Sequence, residues 1–196
     1  MKILWVDTET TGLDKKENKI TELAAMYEDT DKKQNDTVTF HEYIKYSEYP
    51  KDYGKVAEMT GLTPTILASK GKSEKEVYVK FHEFLSDLVD RYDKNDKMIL
   101  AGYNIDFDDN FLRELFHRFN NQYYGSFFFN CRLNVMSTMA MAMQSGVLGV
   151  LVRYRLANLA EALNIDLNAH SAIDDIMVTR ECYYKLLSMI QQNKND

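Results

Sequence analysis

At 196 residues the chain is long enough for one well-buried domain and short for two, and 45% hydrophobic with 28% charged residues is the balance of an ordinary globular protein. A net charge of −6 excludes a broad basic surface, so a nucleic-acid partner has to be held locally, with bound cations as one means. Two cysteines, Cys131 and Cys182, give no disulfide framework, no apolar run approaches a membrane span, and "MKILWVDTET" turns acidic too soon for a signal peptide, so a cytosolic protein with no membrane partner is expected.

In chain order, "KILWVD" predicts a short apolar first strand. "ITELAAMYED" (20–29) and "DTVTFHEYIK" (36–45) predict two more, joined by a polar turn. Residues 45–72 hold mixed short pieces punctuated by Gly61 and Pro64. A helix is expected from Ser73 to Tyr92, where Val77, Phe81, Phe84, Leu85, Leu88 and Val89 keep helical spacing. "MILAGYN" (98–104) is a fourth strand, "FDDNFLRELFHRF" (107–119) a helix and "SFFFNC" a candidate fifth strand, with helices over 134–144, 155–164 and 172–192. Strands first, then alternating helices and strands, give an α/β domain: a mixed five-stranded sheet flanked by helices, over residues 1–192, with a polar tail at 193–196.

Sites in such sheets form at the carboxyl ends of strands. There the first strand carries Asp7 and Glu9, two residues apart and so on one face, where they repel unless a cation lies between them. After the fourth strand "NIDFDDNF" offers three aspartates. Asp108 shares a stripe with Phe111, Leu112, Leu115 and Phe119, so it tops the apolar face; Asp106 suits a helix N-cap and Asp109 a solvent position. In "NAHSAIDDIMVTREC", Ser171 and Asp174 fit a capping box, which leaves Asp175 bordering a buried side of Ile176, Thr179, Tyr183 and Leu187. His170 precedes the cap. His41, His82 and His117 fall in segments without acid clusters and are expected at the surface or in packing.

Together "VDTETTGL" (6–13), "YNIDFDDNFL" (103–112) and "HSAIDD" (170–175) resemble the three motifs of the DEDDh family of 3′–5′ exonucleases, in order and across nearly the whole chain. The resemblance implies a ribonuclease H-like fold and a catalytic set of Asp7, Glu9, Asp108 and Asp175 as metal ligands, with His170 as general base. It implies two Mg²⁺ or Mn²⁺ ions, hard cations that prefer oxygen ligands, roughly 3.5–4 Å apart. One ion belongs among Asp7, Glu9 and Asp175, the second between Asp7 and the scissile phosphate, with Asp108 acting through water.

By the same resemblance, Thr10, Thr11, Gly12 and Leu13 lie along the terminal nucleotide, with Leu13 against its base and backbone amides meeting the 3′-hydroxyl; a turn residue anchored to the core is the other reading of Leu13. Tyr103, where the family often has histidine, joins Asn104 and Phe107 as substrate contacts. "MTGLTP" (59–64) is similar to a segment lining the nucleotide pocket, and "LVRYR" brings Arg153 and Arg155 near the helix before the third motif, as phosphate contacts or as plain surface residues. The second motif is closer to the DNA-proofreading type, which ranks single-stranded DNA ahead of RNA; with no polymerase domain in the sequence, the chain is expected either to work alone or to serve a separate DNA polymerase. Oligoribonuclease and ribonuclease T share the catalytic set, so an exoribonuclease is the alternative. A non-catalytic binding module requires a lost metal ligand, and none is lost; a structural domain binding calcium leaves His170 unexplained.

Overall fold

The structure, a computed structural model, describes residues 1–32, 37–167 and 171–193. Five strands form one mixed sheet: β1 (Lys2–Thr10), β2 (Ile20–Asp29), β3 (Val38–Tyr43), β4 (Met98–Gly102) and β5 (Phe128–Asn134), in the order β3-β2-β1-β4-β5. β1 runs antiparallel to β2 and parallel to β4, so the carboxyl ends of β1, β4 and β5 share one edge.

Seven α-helices are present among the described residues: α1 (Tyr53–Thr60), α2 (Pro64–Lys70), α3 (Glu74–Leu88), α4 (Ile105–Arg118), α5 (Val135–Gln144), α6 (Leu156–Ala162) and α7 (Ala172–Gln192). Strand alternation divides the core in two. Leu4 and Val6 of β1 face a layer with Val77, Phe81 and Leu85 of α3 and Phe111, Leu112 and Leu115 of α4. Ile3 and Trp5 face the opposite layer, with Val135 and Met139 of α5, Leu159 of α6 and Ile176 and Cys182 of α7. In keeping with the cysteine reading, Cys131 and Cys182 are both free. No helix is long and apolar enough to cross a membrane.

The mixed α/β sheet matches the sequence reading, while several element limits differ. β1 continues past the expected Asp7 to Thr10 because it pairs with β2 as far as Thr10 opposite Ile20, so Glu9 lies within the strand together with Asp7. The 45–72 stretch holds two short helices. Gly61 ends α1 in a left-handed conformation (φ 72°), and Thr63 caps α2 with Pro64 behind it. α3 stops at Leu88, whose carbonyl accepts from Lys2 Nζ, four residues before the expected Tyr92. β5 starts at Phe128 and runs beyond Cys131 to Asn134.

At α4 the N-cap is Asn104, in a left-handed conformation (φ 61°) that asparagine tolerates, so Asp106 lies in the first turn and is not the cap. Asp109 is likewise not a solvent residue: Arg113 and Arg132 each lie 3.0 Å from its Oδ2. On α7 the deeply buried stripe is Ile176, Thr179, Cys182 and Leu186, with Tyr183 and Leu187 only partly buried. Of the tail at 193–196, Asn193 is the C-cap of α7 and the rest lies outside the described residues.

α7 is tied to the sheet by Glu28, which is 5% exposed. Its carboxylate accepts from Trp5 Nε1 at 2.8 Å, from Arg180 Nε at 2.6 Å and from the Tyr184 hydroxyl at 2.6 Å. Charge-assisted bonds of this kind exceed neutral ones in strength, and here one acid holds β1, β2 and α7 in register.

Candidate metal centre

The strand parity that splits the core also builds the site. Asp7 and Glu9 have the parity of Ile3 and Trp5 and point to the α7 side, where the first turn of α7 presents Asp175. One ligand oxygen from each of the three lies within 4.8 Å of the others. Ser171 starts that turn as anticipated: its hydroxyl accepts from the Asp174 amide at 3.3 Å, and the hydroxyl donates to the Asp174 carboxylate at 2.7 Å. Asp174 is thus used in the cap and Asp175 turns to the cluster.

Thr8 lies between the two acids and has the opposite parity, toward α4. There Asp108, 3% exposed, accepts from the Thr8 amide at 2.9 Å and from the Thr8 hydroxyl at 2.7 Å. The fourth acid therefore reaches β1 from the other face. The stripe that selected it buries Phe111, Leu112 and Leu115 as expected and adds Phe116.

The electrostatics follow from this crowding. Burial first, then the charges of Asp108, Asp175, Glu9 and Glu22, drive the Asp7 carboxyl well above the usual range. Burial, then Glu22 and Asp175, push Glu9 up to about 7. Asp108 moves the same way because of its burial, against the opposing pull of the Thr8 bonds. A hard divalent cation offers what this oxygen-only donor set lacks.

Glu22 and His41 belong to the site's support, and the sequence reading missed both. Glu22 stands opposite Glu9 in the β1–β2 register and is 1% exposed. His41 Nε2 lies 2.6 Å from its Oε1, and the same oxygen accepts from the Ala172 amide, the first residue of α7, at 3.3 Å. His41 is thus at the surface as expected, but it also holds the buried Glu22 carboxylate. The available signal was a carboxylate, Glu22, set directly before the apolar run "LAAMY", together with a turn short enough to bring it back beside Glu9.

The remaining candidates lie at the same edge. The turn after β1 is tied internally: the Thr10 hydroxyl donates to the Gly12 carbonyl, and the Thr11 hydroxyl donates to Asn18 and accepts from the Lys19 amide. A Cβ on Gly12 would stand 2.5 Å from Asn18 Oδ1, so any larger residue there would displace the Asn18 side chain that accepts from Thr11. Leu13 is 86% exposed, which overturns the reading of a core anchor. It borders a cleft of about 450 Å³ with Lys15, Phe107, Asn110 and Phe111. Asn104 donates its amide to Asn134 Oδ1, and the Tyr103 hydroxyl donates to the Tyr154 carbonyl at 2.9 Å. His170 lies outside the described residues, immediately before Ser171.

Comparison with solved structures gives the same fold. E. coli exonuclease I in complex with a dT13 oligonucleotide matches with a TM-score of 0.78 at 24% identity, over 95% of this chain and 41% of that one. The zinc-bound form of the E. coli exonuclease I–ssDNA complex matches at 0.79 and 24%, over 97% and 41%. A product-bound exonuclease I matches at 0.80 and 20%, over 98% and 44%. The chain thus spans about two fifths of the length of these proteins, and the likeness is one of fold, ribonuclease H-like. No curated protein matches the chain. The model of the family described as "Exonuclease" matches residues 4–183, and the chain belongs to that exonuclease family.

Proposed function

We propose that the chain is a metal-dependent 3′–5′ exonuclease that hydrolyses the terminal phosphodiester of single-stranded DNA and releases 5′-mononucleotides. The observation that carries this reading is the convergence of Asp7, Glu9 and Asp175 within 4.8 Å, in a chain of the exonuclease family. Those three residues would hold one Mg²⁺ or Mn²⁺, and Asp7 with Asp108 the neighbourhood of a second. Bound there, the ions supply charge stabilisation for the attacking and leaving oxygens.

The chain's own groups do the rest. Leu13 and Phe107, on the rim of one cleft, take the terminal base between them, and the Gly12 turn brings backbone close to the sugar. Asp108, fixed on Thr8, keeps its carboxylate from swinging into the cluster. His170 takes the proton from the attacking water, a task suited to an imidazole near neutral pKa. The water oxygen bonds to phosphorus, the bond from phosphorus to the 3′-oxygen breaks, and the leaving 3′-oxygen takes a proton from solvent to become the new 3′-hydroxyl of the shortened strand.

Support for DNA comes from the second motif and from the oligonucleotide-bound exonuclease I structures. The test is a competition between DNA and RNA oligonucleotides of equal length and sequence, with the released nucleotides separated by chromatography. Deoxynucleoside 5′-monophosphates in excess are expected. A predominance of ribonucleoside 5′-monophosphates would move the assignment to an exoribonuclease.

A further inference from the structure

The segment between α5 and α6 is not used by the metal centre, yet it is built to reach it. At one end the Asn193 side chain donates to the Ser145 carbonyl, at the C-terminal end of α7 and so far from Asp175. At the other end the Tyr154 carbonyl accepts from Tyr103, which directly follows β4 at the site's edge of the sheet. The segment therefore climbs the α5–α7 side of the molecule and ends beside the second motif.

Its side chains divide sharply. Leu148 is buried and holds the segment to the core, while Val150, Val152 and Tyr154 are 83%, 97% and 51% exposed. Arg153 and Arg155 are exposed too, and neither guanidinium makes a hydrogen bond or an ion pair with any described residue; only the Arg155 carbonyl is engaged, accepting from the Asn158 and Leu159 amides at the start of α6. Four other arginines are matched to acids: Arg113 and Arg132 to Asp109, Arg118 to Glu74, and Arg180 to Glu28. Arg91 lies over the Tyr92 and Tyr123 rings. Two arginines left in solvent on a chain of net charge −6, with a half-exposed tyrosine between them, form a local cationic and aromatic strip; a cleft of about 500 Å³, lined by Arg153 and by Glu161 of α6, lies alongside.

We infer that residues 150–155 are the track for the nucleic-acid strand on the 5′ side of the scissile phosphate. Arg153 and Arg155 take backbone phosphates, and Tyr154 takes a base on its ring. The occupant is a single-stranded nucleic acid because the strip joins unpaired guanidinium groups to an aromatic face, the combination that binds such strands with little sequence preference. The inference rests on the exonuclease reading, since it extends that site.

The test is fluorescence anisotropy of the full chain with three- and twenty-nucleotide oligo-dT across a salt series, with calcium in place of magnesium. For the double variant Arg153→Gln/Arg155→Gln, affinity for the longer strand should fall about tenfold. The slope of log K against log salt should drop by about 1.4, roughly 0.7 for each lost phosphate contact. The short strand should change much less. Arg153→Lys/Arg155→Lys should keep most of the slope, and Tyr154→Ala should weaken the longer strand about tenfold with the slope retained. An unchanged slope, or equal losses on both strands, overturns the track; capture of an apolar peptide by the same surface with no effect on DNA does the same. Wild-type cleavage, followed in parallel with magnesium, judges the exonuclease reading by itself, so either one can fall while the other stands.

Discussion

Asp7 stands where burial and the charges of Asp108, Asp175, Glu9 and Glu22 all oppose its ionisation, and a cation bound among them would reverse that opposition. The residue proposed to serve the metal is thereby a burden on the metal-free fold. Asp7→Asn removes one charge from the cluster and keeps the shape. In EDTA above neutral pH it should melt higher than wild type, by about 2–4 °C for each kcal/mol relieved. Cleavage should fall by more than about a hundredfold, beyond the loss usual for a residue that only supports a ligand. A variant that melts lower in EDTA would show that Asp7 stabilises the fold by some other contact. Glu22 is the complementary case. Glu22→Ala leaves His41 and the Ala172 amide without their acceptor where α7 begins. The predicted costs are about 1–3 kcal/mol of stability and about 10–100-fold in the Mg²⁺ concentration needed for half-maximal activity. Glu22→Gln, which keeps an acceptor oxygen, should lose far less in a magnesium activation curve. Equal losses for the two variants would remove the positioning role.

α7 delivers Asp175, and its seat on the sheet depends on Glu28. Glu28→Gln weakens the bonds to Trp5, Arg180 and Tyr184 together and should cost about 1–3 kcal/mol in urea unfolding, with the midpoint lowered. A midpoint shift too small to measure would mean that packing alone seats the helix. The elements of the site were legible because their signals are periodic. The alternation in "KILWVDTET" gives the shared face of Asp7 and Glu9, the stripe through Phe111 and Leu115 isolates Asp108, and the Ser171–Asp174 cap leaves Asp175. The structure adds that Thr8, one residue out of phase, is what receives Asp108. What escaped the sequence depends on pairing across strands. Glu22 meets Glu9 only through the β1–β2 register, and Asp109 meets Arg132 only because β5 comes alongside α4. The helices in 53–70 were hidden because each is about two turns long, too short to show a period.

For the molecule as a whole, crowded acids make stability depend on pH with a definite sign. Glu9 is raised from 4.5 to about 7, and Asp7 and Asp108 move in the same direction. The folded chain therefore keeps protons that the unfolded chain releases at ordinary carboxylate pKa values. The resulting stability is fully present below about pH 4 and is lost as pH rises through about 7. Glu9 by itself contributes on the order of 3 kcal/mol. In EDTA the melting temperature should fall between about pH 4.5 and 7.5, and Mg²⁺ should restore most of the loss at the upper end, because ligands bind metal in the ionised form. A flat profile in EDTA would show that the cluster is better solvated than its burial implies.

The most direct measurement is digestion of 5′-labelled single-stranded DNA by the wild type and by Asp7→Ala, each with Mg²⁺, with Mn²⁺ and with EDTA. A ladder shortening from the 3′ end with either metal, absent in EDTA and absent in the variant, is the predicted result. Intact DNA in every wild-type lane, or a ladder that survives in Asp7→Ala, would contradict a metal-dependent exonuclease centred on Asp7, Glu9 and Asp175.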